Sequence, residues 1–218
     1  MTTIKGTVAN DLLNGTSLQE TIMGLAGDDT INAGAGADTI YGGAGRDRIF
    51  GNDGDSLVHG GAGNDTIYGG STVDVFYGGS GNDLMVTGAG DDRIYGQSGN
   101  DTVYGGGRDD IIRGNSGNDV LYGDGGKDDI RGGTGDDRVW GGDYNDLIKG
   151  NSGNDELRGE QGDDVIYGGS GADTLDGGIG NDTLGGGRDN DVISGGDGND
   201  LVKGHSGNDL LDGGAGDD

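Results

Sequence analysis

The chain contains no cysteine and no proline, and only 2 histidines. Without cysteine there is no disulfide frame, and a zinc or copper centre lacks its usual nitrogen and sulfur donors. Apolar residues are scarce at 29%, and 13 Lys and Arg face 40 Asp and Glu, for a formal charge of −27. An ordinary domain is roughly 45–50% apolar. Such acidity argues against nucleic acid and anionic membrane surfaces as partners. No apolar run approaches the length of a transmembrane helix or a signal-peptide core, so membrane insertion is not expected. What the chain has in excess is glycine, 57 of 218 residues. Glycine loses the most backbone freedom on folding, and a weakly apolar, self-repelling chain tends to disorder. Either this chain stays unfolded, or something other than a hydrophobic core holds it.

The stretch "GGAGNDTIYGGSTVDVFYGGSGNDLMV", residues 60–86, decides between these, because it is three nine-residue phrases laid end to end. From Gly6 every ninth residue opens a new unit through Gly213 without insertion or deletion, giving 23 complete units and a six-residue remainder, Gly213 to Asp218. Position one is glycine except at Ala33 and Thr87, and position six is aspartate except at Glu20 and Ser56. Position eight is apolar in every complete unit, from Leu13 to Leu211. A disordered tract needs no such phase lock, so the repeat points to a fold.

Glycines at positions one, two and four are expected to supply left-handed dihedrals for tight turns. Positions seven to nine, such as "TIY" at 66–68, alternate outward, inward, outward as in a strand. Three-residue strands cannot stand alone, so they must pair with copies of themselves. One turn and one strand reverse the chain, and two of each return it to its start. Eighteen residues then make one rung, and about 12 rungs stack as parallel strands into a rod roughly 55–60 Å long. The expected fold is all-β, a right-handed parallel β-roll with two nonapeptides per rung, spanning 6–218 after a lead-in at 1–5. Its only core is the two facing ladders of position eight. That core is thin, and stacking brings ionised aspartates eighteen residues apart over one another. A cation between the turns would hold them. Carbonyl-rich turns with aspartates offer oxygen ligands alone, which suit Ca²⁺ better than the stricter, water-retaining Mg²⁺.

The pattern G-G-x-G-x-D-x-U-x resembles the RTX nonapeptide of calcium-binding parallel β-rolls. "GGAGNDTIY" at 60–68, "GGTGDDRVW" at 132–140 and "GGSGADTLD" at 168–176 match every fixed position, and the resemblance runs from Gly6 to Asp218. It implies ions between stacked turns, held by position-six aspartates and backbone carbonyls. It also implies a secreted, extracellular protein that leaves a Gram-negative cell unfolded through a type I channel and folds in millimolar calcium outside. Relatives of this kind include haemolysins, serralysin-type proteases and modules of alginate epimerases.

Alternate units fall on opposite edges of the roll. One edge carries Asp11, Asp29, Asp47, Asp65, Asp83, Asp101, Asp119, Asp137, Asp155, Asp173, Asp191 and Asp209. The other carries Glu20, Asp38, Ser56, Asp74, Asp92, Asp110, Asp128, Asp146, Asp164, Asp182, Asp200 and Asp218, with Leu18, Thr72, Arg108 and Tyr144 at position four. The aspartates of both edges are the candidate metal ligands. Twelve turns per edge leave 12 − 1 = 11 gaps, so 22 sites is the ceiling. The Asp11 edge is expected to fill, and the Glu20 edge to show vacancies near Glu20, Ser56, Thr72, Arg108 and Tyr144. The alternative is that those side chains point to solvent and the sites survive.

Position nine is rich in aromatics, and Phe50, Tyr68, Val86, Tyr104, Tyr122 and Trp140 fall on consecutive rungs of one sheet. Such a row either stabilises neighbouring strands or binds sugar rings, which leaves a calcium-dependent carbohydrate-binding or adhesive module as the alternative function. On the opposite sheet Arg113, Arg131 and Lys149 form either a seat for an acidic extracellular polysaccharide or a charge-balancing row. His59 and His205 show no partner pattern. No H-E-x-x-H motif, EF-hand loop, nucleotide loop or nucleophile elbow is present, so an enzyme is not expected. The chain stops mid-unit at "GGAGDD", without the capping segment or C-terminal secretion signal usual in the family. That leads us to expect a fragment, a covering partner, or end-to-end pairing of the open edge.

Overall fold

The computed structural model describes residues 2–218, and every regular element in them is a strand. Strands alternate between two twelve-stranded sheets, odd-numbered strands in one and even-numbered in the other. All neighbours are parallel and offset by eighteen residues: Ile94 lies opposite Ile112, and Ile112 opposite Ile130. This is the parallel β-roll, two nonapeptides to a rung.

The lead-in joins the fold. Thr2–Lys5 forms the first strand of one sheet, with Ile4 opposite Ile22 and packed against the core. That core is the pair of position-eight ladders. It is completely closed from Ile22 through Leu157 and Ile166 and loosens only at the two ends, where Ile4 and Val202 are partly buried and Leu211 is 47% exposed. Flanking residues of each strand turn outward, so the outer faces are also built as ladders.

On one face the rings of Tyr104, Tyr122 and Trp140 stack at 4.8 and 4.7 Å, and Phe50 stacks on Tyr68 at 5.2 Å; Val86 separates the two groups. The other face carries a second stack. Tyr41, His59, Tyr77 and Tyr95 follow one another at 5.0, 4.8 and 5.0 Å. This corrects the reading of His59 as a residue without partners. Its ring is one member of an aromatic ladder, and burial there lowers its pKa. Farther along the same face, Asp129 lies between Arg113 and Arg131, at 2.7 and 3.4 Å, and Lys149 sits over the ring of Tyr167.

The turns revise the expectation for glycine. Positions two and four do lie in the left-handed region, as at Gly43 (φ 119°) and Gly45 (φ 128°). Asn115 and Asn151 at position two and Arg108 and Tyr144 at position four adopt it too, with φ between 76° and 81°, whereas Thr7, Ala9, Thr16, Leu18 and Thr72 do not. Position one does not. Its glycines have ordinary negative-region or extended backbone, and strand pairing skips them: Arg113 pairs with Arg131 and Asn115 with Gly133, passing over Gly114 and Gly132. Glycine is needed there for space, and that space is where the candidate site lies.

Candidate metal centre

Each turn directs its position-six aspartate inward, beneath the next turn of the same edge. One carboxylate oxygen is anchored: the backbone N–H of Asp101 donates to Asp119 Oδ1 at 2.8 Å, and that of Asp119 to Asp137 Oδ1 at 2.8 Å. Along the Asp11 edge this relay runs unbroken from Asp11 to Asp209. On the Glu20 edge it misses only the step from Asp38 to Ser56, because serine has no carboxylate to offer; it resumes at Ser56 and reaches Asp218.

The other oxygen is not anchored. Nineteen of these aspartates, Asp29 through Asp200, hold an Oδ2 that is buried and has no hydrogen-bond partner. In most turns it faces the position-one glycine of its own unit and the position-one carbonyl of the next rung. A Cβ built on Gly42 would lie 2.5 Å from both Asp47 Oδ2 and Gly60 O. On Gly78 it would lie 2.5 Å from Asp83 Oδ2 and 2.8 Å from Gly96 O. A bare glycine therefore leaves a small oxygen-lined cradle, repeated in most turns.

Leaving a buried carboxylate oxygen unsatisfied is costly, and the acidities reflect it. Burial, the largest influence, pushes Asp110 and Asp146 up to about 8, Asp65, Asp101 and Asp137 to about 7, and Asp83, Asp119 and Asp155 to about 6. The relay N–H pulls the other way, and repulsion between stacked carboxylates adds a smaller upward push. The expected instability of the aspartate stack is thus mainly one of desolvation, with mutual repulsion second.

The donor set fits a hard cation and little else. It consists of carboxylate and main-chain carbonyl oxygen, and among the described residues no three His, Cys, Asp or Glu side chains converge on one point. Any ion must take part of its shell from the backbone, which suits Ca²⁺ and its tolerance of irregular oxygen coordination. Models of the RTX calcium-binding nonapeptide repeat match the chain in overlapping segments: 14–49, 41–76, 50–85, 77–107, 104–139, 131–165, 140–175, 150–184 and 185–218. The chain belongs to the RTX calcium-binding nonapeptide repeat family. No individual curated protein matches it.

Within the RTX frame the two edges differ less than position four suggested. Arg108 and Tyr144 are exposed, take up the left-handed turn that glycine would, and leave Asp110 and Asp146 in the common buried geometry. Their side chains point to solvent. At the first turn of each edge a threonine satisfies the acid instead: Thr7 N and Oγ1 donate to Asp11 Oδ2 at 2.6 and 2.9 Å, and Thr16 N and Oγ1 to Glu20 at 2.9 and 2.5 Å.

The sequence reading missed position five. Its Asn and Asp side chains form an outer relay that runs against the inner one. The N–H of Asn100 donates to Asn82 Oδ1 at 2.9 Å, that of Asn118 to Asn100 Oδ1 at 2.8 Å, and that of Asp136 to Asn118 Oδ1 at 2.9 Å. The recurrent pair "ND" at positions five and six was the available signal.

Proposed function

We propose that this RTX chain is a calcium-dependent structural module, without catalytic activity, that folds as Ca²⁺ enters its turns. The observation that carries this is the row of buried, unpartnered Asp Oδ2 atoms, most of them beside a main-chain carbonyl. A divalent cation supplies the missing counter-charge and coordination, with the ligands drawn from the aspartates of both edges and a ceiling of 22 ions. Holding those oxygens in place falls to the protein: the relay N–H fixes each carboxylate's orientation, and position-one glycine keeps the cradle open. Ligands must be deprotonated and no preformed site exists in an unfolded chain, so binding and folding are coupled. Low cytosolic and high extracellular calcium then make such a chain export-competent inside and ordered outside, consistent with the secretion habit of the family.

The carbohydrate reading is not favoured by the geometry. Sugars stack on open ring faces, and the faces within both aromatic ladders are covered by neighbouring rings. Arg113 and Arg131 are likewise engaged by Asp129.

The test is far-UV circular dichroism of the chelated chain, titrated with Ca²⁺ and separately with Mg²⁺. A cooperative rise of β-signal with calcium alone is expected. A chelated chain already showing its full β-signal at neutral pH overturns the coupling of folding to calcium, and absence of any calcium binding overturns the function.

A further inference from the structure

Position one is where a side chain would enter the metal cradle, and two units carry one: Ala33 and Thr87, both fully buried and both on the Glu20 edge. Thr87 does more than fill space. Its Oγ1 donates to Gly105 O at 2.5 Å, and Gly105 O is the position-one carbonyl of the next rung, the counterpart of Gly60 O above Gly42. The hydroxyl therefore occupies the space beneath that carbonyl, where other turns have an empty cradle. Asp92 Oδ2 itself keeps no hydrogen bond. Thr7 and Thr16 show that hydroxyls can serve these carboxylates: Asp11 and Glu20, which they bond, are not among the orphaned acids.

We propose that Thr87 closes its own cradle to calcium and bridges the Asp92 turn to the next rung through its hydroxyl, so that this rung of the Glu20 edge is held without calcium. This rests on the calcium reading above. It also relocates the vacancies of that edge. They follow from what enters the cradle at position one and, at Ser56, from the missing carboxylate, not from what projects at position four. Ala33 fills the equivalent point with a methyl group. At Gly51 the nearby acid is gone, and the closest side-chain atom to a built Cβ is Ser56 Cβ at 4.0 Å.

The test is ion counting by native mass spectrometry at saturating calcium, on the full chain and on Thr87→Gly, Thr87→Ser and Thr87→Val. Thr87→Gly restores the family residue and is expected to bind one more Ca²⁺ than the parent. Thr87→Ser, which keeps the hydroxyl, and Thr87→Val, which keeps the volume, are expected to bind the parental number. In saturating calcium Thr87→Val should also unfold at lower urea than Thr87→Ser, because Gly105 O loses its donor. An unchanged ion count for Thr87→Gly overturns the closure while leaving the calcium reading standing. Equal urea midpoints for the Val and Ser variants overturn the bridge. A parent chain that binds no calcium overturns both the inference and the reading beneath it.

Discussion

Asp119 allows the two duties of a ladder aspartate to be separated. Its Oδ1 accepts the buried Asp101 N–H at 2.8 Å, and its Oδ2 is the unpartnered oxygen that the proposed function assigns to the cation. Asp119→Asn keeps an acceptor for Asp101 and removes the charge, whereas Asp119→Ala removes both. The Ala variant leaves a buried N–H unsatisfied, worth about 1–3 kcal/mol, and this gap from Asn should be the same with or without calcium. The gap between parent and Asn reads the cation alone: a site held at 100 times its dissociation constant contributes about 2.7 kcal/mol. Urea denaturation followed by circular dichroism gives both gaps, once in saturating calcium and once in chelator near pH 4.5, where the Asp119 carboxyl (pushed by burial to about 6) is protonated. The expected order is parent above Asn above Ala in calcium, and parent level with Asn, both above Ala, in acid chelator. If Asn and Ala coincide in both media, the relay bond stabilises nothing. If parent and Asn stay apart in acid chelator, the carboxylate is not acting through a cation.

Two further outcomes follow from the same geometry. The folded values of Asp65, Asp101, Asp110, Asp137 and Asp146, about 7 to 8, lie above the ordinary 3.8, so the metal-free roll holds protons that the unfolded chain releases. Their contribution is complete below about pH 4 and is lost as pH rises through 7 to 8. The chelated chain should therefore gain β-signal on acidification, and calcium affinity should fall over the same range; a chelated chain more ordered at pH 8 than at pH 5 contradicts the burial argument. Tyr122 lies between Tyr104 and Trp140, and with each aromatic pair worth about 0.5–1.5 kcal/mol, Tyr122→Ala should cost about 1–3 kcal/mol in calcium-loaded urea melts and shift Trp140 fluorescence. A loss under about 0.5 kcal/mol would assign the stack no stabilising role.

Much of this architecture was readable in the chain because the repeat never slips: nine-residue phase led to the rung, the two position-eight ladders and the two acidic edges. What was misread concerns cause, not placement. Position-one glycine looks like any turn glycine in sequence, and only packing distinguishes Gly42, which must lack a Cβ, from Gly43, which must turn left-handed. The outer relay was missed because Asn and Asp at position five read as ordinary polar loop residues until the next rung's N–H is placed above them. His59 was legible in retrospect. Tyr41, His59 and Tyr77 are spaced by eighteen, but histidine was sought as a ligand when its ring was serving as an aromatic. Ala33 and Thr87 were visible as exceptions, without any indication that position one opens onto the cradle.

The uniform core has a consequence for how such a gene can change. Since position eight is apolar in every unit of both sheets, the interior registers neither the gain nor the loss of a nonapeptide. A duplication of eighteen codons lengthens the rod and returns every downstream residue to its own side. A duplication of nine after Tyr122 leaves the interior apolar but exchanges the two outer surfaces from that point onward, setting Arg131 and Lys149 in line with Tyr104 and Tyr122 and moving Asp137 and its successors onto the edge of Thr87. The outer stacks and the Arg113–Asp129–Arg131 group are thus the part of the molecule that remembers parity.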